Sequence, residues 1–382
     1  MTPEEIENEV KKEEELLESM LHPVSEEKPV GEDIREDPSP TSPYYSIKDA
    51  RNSARAAERS NMFDGDSTEA DIHWKKVASL APDILRNNAK DLEVASWYTE
   101  ARVRIDGFTG LLYSFKLIHG LIEKYWDNLY PLPDEYGIET RVSPLSGLNG
   151  EGSDGVLIPP LRNMDITEGE YPGPFSFWQY QQAAELKHIT DDDERLAKAD
   201  KLGFNMEGFN KSVASSSSEF FVYTRDSVSK AIDIYRDTAR LLDEYCGTED
   251  SPPTSNITSI LEECLGAIKY VGTEAKKFPA EVVTEPESTT SNSGDTSSSA
   301  PTSQPVQATG PVKSREDAFT KITEIASFFR KTEPHSPISY ILERAVVWGE
   351  MSLEELMKEL ITDESARGAY GSLTGINTQE ED

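Results

Sequence analysis

The sequence predicts an all-α, multi-domain protein with a flexible linker to a small C-terminal helical oligomerisation domain. Three observations carry that prediction. Apolar residues recur at three- and four-residue steps through most of the chain, as they do along one face of a helix. From 279 to 312 the composition turns to Ser, Thr, Pro and Gly with almost no large apolar side chain, too little burial to offset the entropy of ordering. Beyond that stretch, residues 313–382 regain helical periodicity in a unit so short that it buries little of its own surface.

The elements follow in order. Residues 1–40 hold 14 Asp and Glu against 4 Lys and Arg, and residues 1–23 form an acidic tail. Ile6, Val10, Leu17, Met20 and Leu21 align among its glutamates, so 4–21 reads as a solvated, fraying helix, with a short docking peptide as the sharper alternative. A first folded unit, 24–165, opens in extended, proline-punctuated chain around Gly31-Glu32-Asp33-Ile34 and Asp37-Pro38. Helical patterns cover 47–60, 72–80, 92–105 and 108–126. The last is the strongest, with Phe108, Leu111, Leu112, Phe115, Ile118, Leu121 and Ile122 in register, and it stops before Pro131. Leu145, Leu148, Val156, Leu157 and Ile158 sit in a stretch broken by Gly and Pro that reads as loop with a short hairpin.

A middle helical domain spans 170–278. Phe177, Tyr180, Ala184 and Leu186 begin it, a long helix runs through Phe220, Val228, Tyr235 and Leu242 to Gly247, and another covers 257–271. Asp191-Asp192-Asp193-Glu194 lacks the alternating ligands and glycine of a calcium loop and reads as a helix N-terminus.

In the C-terminal unit, Ser314-Arg315-Glu316-Asp317 has the spacing of an N-terminal capping box, followed by Phe319, Ile322, Ala326 and Phe329 on one face. The turn Glu333-Pro334-His335-Ser336-Pro337 ends that helix and starts the next, with Ser336 as cap and Pro337 at the first helical position. This second helix runs to about Gly349, and a third opens at Ser352 with Glu355 completing its box. Projected at about 100° per residue, Ile338, Ile341, Leu342, Ala345 and Trp348 share one arc, while Tyr340 and Val347 fall nearly opposite. A helix apolar on two faces, in so small a unit, predicts an oligomer interface of Tyr340, Ile341, Ala345, Val347 and Trp348; docking of Tyr340 and Val347 on the front of the same chain, or their single exposure, are the alternatives.

Composition narrows the function. With 71 acidic against 38 basic residues the formal net charge is -33, which repels phosphate backbones and anionic lipid and excludes a nucleic-acid binder. Cys246 and Cys264 make no metal spacing and no secreted disulfide framework, so a reducing compartment is expected, with a disulfide between them as the lesser alternative. No apolar run approaches a membrane span, and the N-terminus lacks the pattern of a signal peptide, so the protein is expected in the cytoplasm. His22, His73, His119, His188 and His335 form no metal-binding pair, and Gly147-Leu148-Asn149-Gly150-Glu151-Gly152 has neither dinucleotide nor phosphate-loop spacing. No catalytic constellation, cofactor site or metal site is expected.

Three blocks resemble the TssA proteins of bacterial type VI secretion systems, which carry an ImpA-type N-terminal domain. The first is Gly31-Glu32-Asp33-Ile34-Arg35 with Asp37-Pro38. The second is Tyr125-Trp126-Asp127-Asn128-Leu129-Tyr130-Pro131 with Asp134-Glu135-Tyr136-Gly137 and the run from Arg141 to Asn149. The third, similar to the shorter TssA class, is Phe328-Phe329-Arg330 with Glu333, Pro334, His335, Ser336 and Pro337, then Leu342-Glu343-Arg344-Ala345. The resemblance implies a non-enzymatic component that oligomerises into a ring- or star-like particle through its C-terminal region, contacts baseplate, inner tube and sheath, and coordinates tail polymerisation. It makes 24–165 the ImpA-type domain. The rival readings are an adaptor that loads an effector onto the machine and a hydrolase with a site between the two helical zones.

Overall fold

The computed structural model describes residues 2–60, 67–135, 137–169, 171–279, 315–332, 338–351 and 356. Among them the chain is helical, and pairing between extended segments is limited to isolated bridges. Two compact units emerge, Met1–Thr284 and Glu285–Asp382.

The first unit is built around one buried helix. In chain order it contains α1 (Pro3–Leu21), α2 (Pro43–Ser60), α3 (Thr68–Asn87), α4 (Leu92–Tyr125), α5 (Glu139–Asn149), α6 (Ile158–Arg162), α7 (Phe177–Glu185), α8 (Asp192–Leu202), α9 (Met206–Ser215), α10 (Ser218–Cys246) and α11 (Ser255–Glu274). α4 is apolar nearly all round, so it sits at the centre, where α1, α3 and α10 pack on it and α2 pairs with α3. Its start is fixed by Asp91, whose carboxylate accepts the N–H groups of Glu93 (2.9 Å) and Val94 (3.0 Å). The sequence patterns 92–105 and 108–126 stand as two helical arms that α4 joins across a kink at Gly107, whose φ of 55° and ψ of -133° suit only glycine.

Capping sets other boundaries. Asp191 accepts the N–H of Glu194 and opens α8, as the carboxylate cluster predicted, and Ser217 does the same for α10. Both cysteines are free thiols.

Two expectations are corrected. The stretch read as loop with a short hairpin is a loop only at 150–157 and is helical on either side: Val142, Leu145 and Leu148 are the buried face of α5, a three-residue spacing hidden by Pro144 and the glycines after it, and Ile158 opens α6. The acidic helix is not solvated. α1 docks on α4, where Glu13 is buried and accepts from Arg102 Nη2 at 2.8 Å, Tyr125 donates its hydroxyl to Leu21 O (2.8 Å), and Leu21 covers Gly120 so closely that no Cβ fits. Glu13 lies in line with Val10 and Leu17, so a charged side chain inside the apolar stripe was the available sign of a buried ion pair.

The second unit contains α12 (Arg315–Thr332) and α13 (Ile338–Glu350), packed as a helical pair. The expected turn 333–337 and the expected third helix from Ser352 lie outside the described residues, apart from Leu356.

Candidate functional site

The N-terminal motif residues gather around the two ends of α4. Gly31 (φ 75°) lies against the 88–90 segment, and a Cβ there would stand 1.9 Å from Asn88 O. Asp33 accepts from the backbone N–H of Arg35 (3.0 Å), aiming that guanidinium at Asp91 and Glu93, both at 2.6 Å. Burial opposes the charge on Arg35, but the two carboxylates more than offset it and raise its pKa. Glu32 is exposed and ion-paired with Lys28.

At the other end, Arg141 donates to Trp126 O (2.6 Å) and Pro131 O (3.1 Å), with its guanidinium 5.0 Å from the Trp126 ring. Trp126 stacks in turn on Tyr245 of α10, centroids 5.0 Å apart, and Tyr125 holds the end of α1. Burial lowers the Arg141 pKa, since its partners are carbonyls rather than carboxylates. These residues fix the frame of the unit. Glu333, Pro334, His335, Ser336 and Pro337 lie outside the described residues.

In the second unit the arc of α13 that meets α12 differs from the projected one. Ser339 is buried, as is Ala326 on α12, and the Phe319 ring closes on Gly349 so tightly that a Cβ would lie 2.2 Å from it. The inward arc therefore runs through Ser339, Leu342, Val346 and Gly349. That leaves Ile341 (59% exposed) with Tyr340 (59%) and Val347 (50%) on the outward side, flanked by half-buried Ala345 and Trp348. Ile325 and Phe328 of α12 and Ile338 are exposed as well. Arg330 lies 4.9 Å from the Tyr340 ring and pairs with Glu343 at 2.8 Å, which orients the tyrosine without covering it. Such a set leaves large apolar side chains exposed on both helices, and among the described residues of this unit only Ala326 and Ser339 are fully buried.

Among the described residues no group of His, Cys, Asp or Glu is arranged to hold a metal ion, and no helix is long and apolar enough to cross a membrane. Sequence reasoning missed Lys90, whose buried ammonium ties α1 to α3, and Arg102, which pairs with Glu13; no periodicity marks either.

Gly31, Asp33, Trp126 and Arg141 thus serve as clamps inside a helical scaffold. Residues 21–150 match the family model described as ImpA, N-terminal, type VI secretion system. Over 358 residues the chain is 22% identical to "Type VI secretion system component TssA1" of Pseudomonas aeruginosa, a match covering 90% of this chain and 94% of that one. Among solved structures it is similar to the N-terminal domain, including the conserved ImpA_N region, of the TssA component of the type VI secretion system from Burkholderia cenocepacia. That similarity has a TM-score of 0.54 and 25% identity, and covers 68% of this chain and 94% of the other. The chain thus carries an ImpA N-terminal domain of type VI secretion systems and is similar to TssA components over most of its length.

Proposed function

We propose that the chain is a non-enzymatic, cytoplasmic assembly factor whose copies associate through α12 and α13 into a ring- or star-like particle. In that reading residues 313–382 are the oligomerisation domain, 279–312 the flexible tether, and the two helical domains, 24–165 and 170–278, the arms. The arms contact baseplate, inner tube and sheath and coordinate polymerisation of the tail. Multiplicity supplies the affinity: weak contacts from many tethered arms to a repeating structure add as avidity without any single strong site.

The outward apolar band of Tyr340, Ile341 and Val347 carries this reading. Covering it with sibling copies removes apolar surface worth about 25 cal/mol per Å² from water. Ile341→Asp and Val347→Asp, each at an exposed position, are expected to lower the mass in light scattering while circular dichroism stays at the wild-type helix content. Unchanged mass in both variants removes the C-terminal particle from the account.

A further inference from the structure

A cleft of about 950 Å³ opens in the first unit where α4 bends at Gly107. Ile105, Pro159 and Phe220 give it an accessible apolar lining, and α1, α4 and the chain after α6 contribute the carboxylates Glu9, Asp106 and Asp165. Asp106 is paired with Arg102 (2.5 Å), and Arg104, the cation of the lining, is committed to Glu58 (2.5 Å). Among the described residues Glu9 and Asp165 have no hydrogen bond or ion pair through their side chains. Burial raises the pKa of both, the mark of carboxylates short of compensating charge.

We propose that this cleft docks a basic, amphipathic segment of a partner protein, its apolar side on Ile105, Pro159 and Phe220 and its Lys or Arg heads on Glu9 and Asp165. Lys and Arg suit such a site, because their aliphatic stems lie along apolar surface while the charged head reaches the carboxylate. Charge selects against the other occupants: a second copy brings 71 acidic against 38 basic residues, and nucleic acid brings only phosphate. The inference rests on the assembly reading for the existence of a partner, but its test leaves α12 and α13 untouched, so the two fail separately.

The test uses the full chain and a fluorescent peptide of leucines and lysines at helical spacing, followed by anisotropy at about 0.15 M salt, where the Debye length is about 8 Å. Glu9→Gln with Asp165→Asn is expected to weaken binding about tenfold, the loss of one to two charge-assisted contacts. Asp192→Asn with Asp193→Asn removes the same charge from the N-terminus of α8 and is expected to leave affinity unchanged. Asp165→Lys alone, which replaces attraction by repulsion, is expected to weaken it further. Equal loss in the α8 control shows a diffuse attraction and overturns the proposal, as does equal binding of a leucine–glutamate peptide.

Discussion

Lys90 carries a charge through the interior of the first unit. Its Nζ donates to Met20 O (2.8 Å) and Leu85 O (2.5 Å), carbonyls in the last turns of α1 and α3 that have no helical partner. One ammonium thus closes two helix ends and ties the acidic α1 to the body. Lys90→Met strands both carbonyls and is expected to destabilise the unit by about 2 kcal/mol or more. Burial lowers the Lys90 pKa to about 8, against about 10.4 in an unfolded chain. Between those values the unfolded state binds more protons, so this group makes the wild type more stable as pH rises through the window. Urea unfolding at about pH 7 and pH 9.5 is expected to show the gap between wild type and Lys90→Met widening with pH. A gap independent of pH would mean that Lys90 keeps an ordinary pKa in the folded chain.

At the scale of elements, α4 decides the architecture and its bend decides the cleft. Gly107 has open space where a Cβ would stand, so the cost of a side chain there is backbone strain alone. Gly107→Ala is expected to lose about 1–3 kcal/mol, read as a lower thermal midpoint at unchanged helix content. A wild-type midpoint would show that α4 runs through residue 107 in ordinary helical geometry. Helices whose burial follows from their own periodicity were legible in sequence, as in α10, where Phe221, Thr224, Val228, Ala231 and Ile232 are buried at helical steps. The capping signal at Asp191 was legible for the same local reason. What failed to show depends on distant partners. α1 reads as solvated until Arg102, far along the chain, arrives to pair with Glu13. On α13 a serine on the inward arc disguised the face that meets α12, and the projected apolar arc included Ile341, which points outward. The cleft could not be read at all, since Glu9, Asp106 and Asp165 share no pattern in sequence.

For the whole molecule, the net charge of -33 and the apolar band on α13 pull in opposite directions. Copies of so acidic a chain repel one another, while the proposed association through Tyr340, Ile341 and Val347 would draw on burial of apolar surface, which needs no ionic contact. The balance therefore depends on ionic strength. The Debye length falls from about 30 Å at 0.01 M salt to about 8 Å at 0.15 M, which screens repulsion between copies and leaves the apolar contact intact. Sedimentation velocity across that range is expected to show the mean mass rising with salt, with Ile341→Asp remaining at low mass throughout. An assembly held by ion pairs between copies, for instance by exchange of the exposed Arg330–Glu343 pair, would respond in the opposite sense and dissociate as salt is added. The sign of the salt response thus separates a hydrophobic seam, which tolerates the charge on every arm it gathers, from an electrostatic one, which would have to overcome that charge with contacts that salt weakens.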